Sequence, residues 1–316
     1  MYVSRITCHV SRLLAVVCIL LAAGCAKVSG IGVTTLKSAN LPDLQGYLLS
    51  HKPDVDRFGS RGPFGVTIET DHVLRVSATE GVIADRYLSA PAEKAPLVVF
   101  VHGYDNFKET HAYQAFHVAS WGMHAVSVQL PNTGPWSANG RTLARLVSAI
   151  HRSPEIVDRR VDPARIVLVG HSFGATAVAI ALAEGAPAAG AILLDAAGIG
   201  RDLPKFLKQI NKPVLLVGAD EDVSPTRNRE YFYQFIPVVA EISIRDASHE
   251  DAQFPAERPL QTLGAGSMPA DETQITFVSA LTSAAFSLSS TGKLDYAWSS
   301  FSAALGTGKF LNARRK

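Results

Sequence analysis

The stretch that decides the fold runs from Ile166 to Ala177 and reads I-V-L-V-G-H-S-F-G-A-T-A. It opens on a short apolar run that is typical of a buried strand. The sequence then passes through Gly-His-Ser-Phe-Gly into an alanine-rich segment, which favours a helix. The pattern therefore predicts a strand, an abrupt turn at Ser172 and a helix over 175–184 that stops at Gly185.

The turn is flanked by Gly170 and Gly174, two residues to either side of Ser172. A serine in a strained turn needs small neighbours, because side chains at these positions would crowd the backbone of the crossing helix. The helix that follows directs its free amides to the place where negative charge would develop on an attacked carbonyl. We interpret Ser172 as a nucleophile. The other interpretation is a glycine-rich turn whose serine only caps the helix.

A serine hydroxyl needs a general base, and the base needs a carboxylate that orients it. His249 follows the strand predicted over 240–245 and is our candidate base. Asp222 and Asp220 share one loop as candidate acids, and Asp195 lies one strand earlier. We rank Asp222 first as the acid, Asp220 second and Asp195 third. The order Ser172, Asp222, His249 is the usual chain order of such triads.

Two backbone amides should stabilise the oxyanion, one from Phe173 and one from Tyr104 in the loop after the strand at 97–101. The side chains of these two residues are then free to line an acyl pocket. Trp136, in a Pro/Gly loop, either joins that pocket or packs on the surface of its own domain.

Strands and helices alternate through most of the chain, which predicts an α/β fold with a doubly wound, mostly parallel sheet. An antiparallel pair at 66–76 and 82–88 should form one edge of the sheet. The further predicted strands are 97–101, 124–130, the run before Ser172, 191–194, 213–217 and 240–245. The further predicted helices are 109–121, 142–152, 275–286 and 296–305.

The chain begins with Arg5, Arg12, an apolar core over 13–23 and then Gly24-Cys25. This pattern predicts an export signal over 1–25, and 21–25 resembles a bacterial lipobox with Cys25 as the lipid attachment site. The alternatives are an ordinary cleaved signal or an uncleaved anchor. We expect a tether and lead-in over 26–63, one domain over 64–316, and a lipid-anchored protein of the bacterial cell envelope.

Composition restricts the possible partners. The hydrophobic fraction is 47% and the net charge is +2, which predict a sizeable core and no nucleic-acid binding. All three cysteines lie within 1–25, so we expect no disulfide in the domain. We expect neither metal nor organic cofactor, and we interpret 314–316, Arg-Arg-Lys, as a solvated tail.

Four motifs together resemble the α/β hydrolases: His-Gly-Tyr at 102–104, Gly-His-Ser-Phe-Gly at 170–174, Gly-Ala-Asp-Glu-Asp at 218–222 and Ala-Ser-His at 247–249. Their spacing is similar to that of the dienelactone hydrolase-like, chlorophyllase and polyester hydrolase (cutinase-like) branch. The resemblance covers about 66–255. It implies this fold and a Ser-Asp-His triad whose acid is the second aspartate of the Gly-Ala-Asp-x-Asp motif, here Asp222.

Only seventeen residues, 196–212, separate the predicted strand 191–194, which follows the helix after Ser172, from the next strand, so we expect no large cap domain and an open cleft. The function expected from these observations is a carboxylesterase that forms an acyl-enzyme intermediate on a small-molecule ester. An amidase, peptidase or acyltransferase would use the same triad. A non-catalytic binding protein of the envelope is the alternative from another class.

Overall fold

The computed structural model describes residues 46, 49–50, 52–90, 94–198, 200–222, 228–254 and 271–316. The predicted export signal, including Cys25, lies outside these residues. In the described ranges, no helix combines the length and apolar character needed to cross a membrane.

A single sheet runs through the described residues, with its nine strands in the order β1-β2-β4-β3-β5-β6-β7-β8-β9. The strands are β1 Val66–Arg75, β2 Gly81–Ser89, β3 Ala95–Val101, β4 His124–Gln129, β5 Val161–His171, β6 Gly190–Leu194, β7 Val214–Gly218, β8 Val239–Ile244 and β9 Phe310–Arg315. Six neighbouring strands pair in parallel: β4, β3, β5, β6, β7 and β8. The strands β1, β2 and β9 add antiparallel pairs at the two edges of the sheet. Every residue of β3, β6 and β7 is buried, as expected for strands covered on both faces.

Helices cover both faces of the sheet. They are α1 Ala112–Ser120, α2 Trp136–Arg152, α3 Phe173–Ala183, α4 Leu203–Leu207, α5 Asn228–Phe235, α6 Glu272–Thr291 and α7 Asp295–Ala304. One hydrophobic core lies under α1, α6 and α7, and a second lies under α2 to α5. The predicted α/β class with a doubly wound, mostly parallel sheet is confirmed.

The helix predicted over 142–152 begins six residues earlier, at Trp136, in a segment interpreted as a loop. Gly140 lies inside this first part of α2, where a Cβ would come within 2.7 Å of the Ile180 Cβ on α3. The glycine thus permits close approach of two helices. Tertiary packing outweighs its poor helix propensity, and the loop interpretation was wrong.

The C-terminal residues are not a solvated tail. Residues 310–315 form β9, which pairs antiparallel with β8 and extends the sheet beyond the strand predicted to be its last. Arg314 lies 2.7 Å from the carboxylate of Glu241, a β8 residue that is 2% exposed. Arg314 and Arg315 pair with carboxylates on neighbouring elements, and Lys316 donates to the Gln234 carbonyl. Local sequence does not reveal these contacts.

Part of the predicted lead-in belongs to the folded domain. Phe58 is fully buried, with its ring centroid 4.8 Å from that of Trp121 and 6.0 Å from that of Phe286. The ring of His117 donates a hydrogen bond to the Phe58 carbonyl at 2.7 Å. The domain therefore begins before residue 64.

Candidate active site

Ser172 is the single residue between β5 and α3. Its backbone has φ 53° and ψ −126°, a conformation that costs energy for any residue except glycine. Its amide donates to the Leu194 carbonyl at 3.0 Å, and its carbonyl accepts from the Ala197 amide at 3.0 Å. The turn is therefore held against the end of β6 and the loop that follows it.

The two glycines around Ser172 are required by close backbone contacts. A Cβ on Gly170 would lie 2.5 Å from the Gly174 carbonyl oxygen, and a Cβ on Gly174 would lie 2.4 Å from the carbonyl oxygens of Val101 and His102. Separations this short are not tolerated, so each position accepts glycine alone. This is the crowding that the sequence pattern predicts.

His249 lies in the loop after β8 and is held by Asp195. The His249 Nδ1 and Asp195 Oδ2 atoms are 2.5 Å apart, and the other carboxylate oxygen accepts from the Ala219 amide at 3.0 Å. Asp195 is 1% exposed, whereas the side chain of His249 is 25% exposed. The arrangement leaves the second ring nitrogen of His249 available for proton transfer.

The expectation that Asp222 orients His249 is corrected by this geometry. Asp222 is exposed and lies in a surface depression with Arg229, Glu241 and Arg314, and its amide donates to Asp220 Oδ1 at 3.0 Å.

Asp220 makes no hydrogen bond to the His249 ring either. Its second carboxylate oxygen accepts from the Asp246 amide at 2.9 Å, and its own amide donates to the Ala247 carbonyl at 2.9 Å. These bonds support the start of the loop that carries His249. Asp220 thus links the loop after β7 to the loop after β8 by hydrogen bonds.

Sheet register explains why Asp195 is the partner. Leu194 pairs with His171, so Asp195 and Ser172 are the next residues along two adjacent strands. Asp222 comes four residues after the end of β7, which is one strand further from β5. All three carboxylates follow parallel strands, and chain order alone does not rank them. The one signal that favoured Asp195 was that β6 neighbours β5, the strand that leads to Ser172.

The charges around the site set His249 apart from the histidines beside it. Burial lowers the pKa of His249, but the hydrogen bond and charge of Asp195, with a contribution from Glu250, outweigh it and raise this pKa above 6.5. Burial and the nearby His249 and His111 rings hold the pKa of His171 well below its usual range. Burial lowers the pKa of His111 to about 4. Of these three histidines, His249 is the one whose pKa lies above its ordinary value.

The Gly103-Tyr104 loop lies directly against Ser172. A Cβ on Gly103 would lie 2.9 Å from the Ser172 Cβ. The His102 ring holds the loop, since its Nδ1 donates to the Gly103 carbonyl at 2.9 Å and its Nε2 accepts from the Leu130 amide at 3.2 Å. Phe173 is the first residue of α3, where an amide has no partner within the helix. The positions of Tyr104 and Phe173 fit the predicted oxyanion hole, whose role remains a prediction.

Aromatic side chains line one side of Ser172. Trp136 stacks on Phe173 with ring centroids 5.5 Å apart and planes 13° apart, and Tyr104 approaches Phe173 edge-on at 6.5 Å. Tyr104 is 55% exposed and Phe107, in the same loop, is 53% exposed. Trp136 therefore packs on the residue that follows Ser172 rather than on a remote surface, and the group offers an apolar face to a ligand.

Two comparisons bear on the chain as a whole. The sequence model of the Alpha/beta hydrolase family matches residues 98–304, more than half of the chain. No curated protein matches this chain. In the described part of the chain, no group of three or more His, Cys, Asp or Glu side chains is arranged to hold a metal ion. From the family match, the doubly wound sheet and the serine at the turn after β5, we conclude that this chain belongs to the α/β hydrolase family.

Proposed function

We propose that this protein is a serine hydrolase that cleaves carboxylic esters through an acyl-enzyme intermediate. The observation that carries the proposal is the convergence of Ser172, His249 and Asp195 at the carboxyl ends of β5, β8 and β6. Family membership supports hydrolysis in general. The strained turn at Ser172 and the buried carboxylate on His249 support a serine mechanism in particular.

In the proposed reaction, Ser172 Oγ attacks the ester carbonyl while His249 Nε2 accepts its proton. Asp195 holds the imidazole with its proton on Nδ1 and stabilises the imidazolium that forms. The amides of Phe173 and Tyr104 donate to the oxyanion of the tetrahedral intermediate. His249 then protonates the leaving alcohol and activates the water that releases the acid.

The aromatic face formed by Tyr104, Trp136 and Phe173 favours an ester with an apolar acyl group. In the described residues between β6 and β7, α4 is the one helix, and it is short, which agrees with an open cleft on that side. Trp136 has the largest ring system of the three. We infer that it contacts an acyl chain longer than acetyl.

The function is tested by hydrolysis of p-nitrophenyl esters from acetate to octanoate, beside the matching anilides and with Trp136→Ala as the variant. We expect esters to be cleaved faster than anilides. For octanoate, kcat/KM should fall about tenfold in Trp136→Ala, because an apolar contact worth roughly 1.5 kcal/mol is lost. For acetate it should change less than about twofold.

The matched control is Trp298→Ala, which removes a half-buried tryptophan from α7 on the other face of the sheet. Its chain-length profile should remain that of the wild type. Turnover of anilides but not of esters would replace the proposal by an amidase. Failure to cleave any ester or anilide and to react with a fluorophosphonate would support the binding-scaffold alternative.

The motifs are similar to those of the dienelactone hydrolase-like, chlorophyllase and cutinase-like branch, in which the acid is the second aspartate of Gly-Ala-Asp-x-Asp. Here His249 bonds to Asp195, and Asp222 lies elsewhere. The proposal therefore takes the esterase chemistry from the residues of the site and leaves the branch open.

We also propose that the enzyme is a lipid-anchored protein of the bacterial cell envelope. Support comes from the charged and apolar segment before Gly24-Cys25 and from the restriction of all cysteines to residues 1–25. Cells supplied with an alkyne-tagged fatty acid should incorporate it into the wild-type protein but not into Cys25→Ala. Equal labelling of both proteins, or of neither, would contradict the anchor.

A further inference from the structure

Two buried histidines, His111 and His171, form a chain of neighbouring rings with His249. The ring centroids of His111 and His171 are 6.1 Å apart, and those of His171 and His249 are 4.5 Å apart. His111 is fully buried and His171 is 1% exposed. The mechanism above uses neither His111 nor His171, although His171 directly precedes the nucleophile.

A hydrogen bond joins His171 to the backbone of His249. The His171 Nε2 atom lies 3.1 Å from the His249 carbonyl oxygen. Because a carbonyl oxygen only accepts, Nε2 must carry the proton and donate. The low pKa of His171 keeps the ring neutral, and Nδ1 is then unprotonated. Among the described residues Nδ1 has no hydrogen-bond partner, so the single bond to His249 determines the tautomer.

A second buried link holds the other end of the same turn. The turn Glu250–Ala252 follows His249, and the Ala252 amide points back to the His249 carbonyl at 3.4 Å. Gln114 on α1 donates to the Ala252 carbonyl at 3.1 Å, while its own carbonyl accepts from His111 Nδ1 at 2.5 Å. Helix α1 and strand β5 therefore anchor the backbone around His249 from inside the domain.

The His249 ring is thus restrained at two points. Asp195 holds the ring through Nδ1, and His171 holds the main chain that carries the ring. Without the bond from His171, the ring keeps Asp195 but the His249 carbonyl loses its side-chain donor, so the main chain at His249 shifts locally and Nε2 moves relative to Ser172. A displacement of about 1 Å in a reacting group lowers a rate by up to about 100-fold.

We propose that His171 is a positioning residue for His249, acting through the hydrogen bond from its Nε2 to the His249 carbonyl. This inference rests on the proposed function, because it assigns His171 a role in the same hydrolytic site. In this inference, the role of His171 is separate from the folding of the turn at Ser172. His171 itself does not touch the substrate.

The test compares His171→Gln with His171→Asn in the full-length protein. The glutamine nitrogen reaches the place of imidazole Nε2, whereas the asparagine nitrogen is one bond too short. We expect kcat for ester hydrolysis to fall about 10- to 100-fold in His171→Asn, with KM changed less than about threefold. In His171→Gln, kcat should stay within about fivefold of the wild type, since the bond is restored.

The matched control is His117→Asn, which removes a comparable bond from a buried histidine to a backbone carbonyl, that of Phe58, away from Ser172. It should be less stable to heat but keep the wild-type kcat. Equal activity in His171→Asn and His171→Gln, or equal loss in both including loss by misfolding, would overturn the proposal. A loss in His117→Asn as large as in His171→Asn would do the same.

A spectroscopic measurement separates this inference from the proposed function. The proton between His249 Nδ1 and Asp195 should give a low-field imidazole resonance, assigned by its absence in His249→Gln. It should persist in His171→Gln and shift or broaden in His171→Asn, whether or not the protein turns over esters. An unchanged resonance in His171→Asn would reject the positioning role. Wild-type protein inert to esters and fluorophosphonate would reject the hydrolase instead.

Discussion

Replacement of Ser172 by alanine is expected to reduce kcat for ester hydrolysis by a factor on the order of 10⁴ or more. The alanine removes the oxygen that forms the acyl-enzyme, and no other hydroxyl occupies the turn between β5 and α3. The amides of Phe173 and Tyr104 remain, so a small residual rate above that in water is expected. Steady-state hydrolysis of p-nitrophenyl butyrate measures the loss.

The Ser172→Ala protein should fold, because a small side chain fits the turn and the backbone bonds to Leu194 and Ala197 do not involve the hydroxyl. The matched control is Ser300→Ala, which removes a buried hydroxyl that donates to the Ala297 carbonyl on α7. Its kcat should equal that of the wild type. Fluorophosphonate should label the wild type and Ser300→Ala on Ser172. Fluorophosphonate labelling of Ser172→Ala, or unchanged turnover by it, would refute the assignment of Ser172 as the nucleophile.

Asp195→Asn is expected to lower kcat about 10⁴-fold, whereas Asp222→Asn should change it less than about twofold. Asparagine keeps the shape of aspartate, and its oxygen still accepts from the Ala219 amide. Its amide nitrogen then faces His249 Nδ1 and does not accept a proton from it. The ring is pushed toward the tautomer with its proton on Nε2, which is unable to act as a base toward Ser172.

The pH dependence of kcat/KM gives an independent measurement of the same contact. In the proposed mechanism neutral His249 is the base, so activity should fall as pH falls through the pKa of His249. This acid limb of the pH profile should lie above 6.5, because Asp195 raises that pKa. In Asp195→Asn the limb of the residual activity should move to lower pH. A large loss of kcat in Asp222→Asn with little loss in Asp195→Asn would identify Asp222 as the acid of the triad.

Much of the fold follows from local sequence. The continuous apolar run of β3 and the alternating edge pair β1 and β2 were recognisable because side-chain periodicity reports how many faces of a strand are buried. The first part of α2 and strand β9 were missed for the same physical reason. Gly140 is stabilised by contact with α3, and Arg314 by a buried carboxylate on β8, and both partners are distant in sequence.

What the sequence determined by itself is the turn at Ser172. Strand, turn and helix are consecutive there, and the spacing of Gly170 and Gly174 reports backbone contacts that only glycine permits. Tertiary structure decided which carboxylate meets His249. Three aspartates follow parallel strands, and their order along the chain does not say how far the loop after β8 extends across the sheet. That loop is supported by Asp220 and tied to His171, and it brings His249 to Asp195, the neighbour of Ser172 on the adjacent strand.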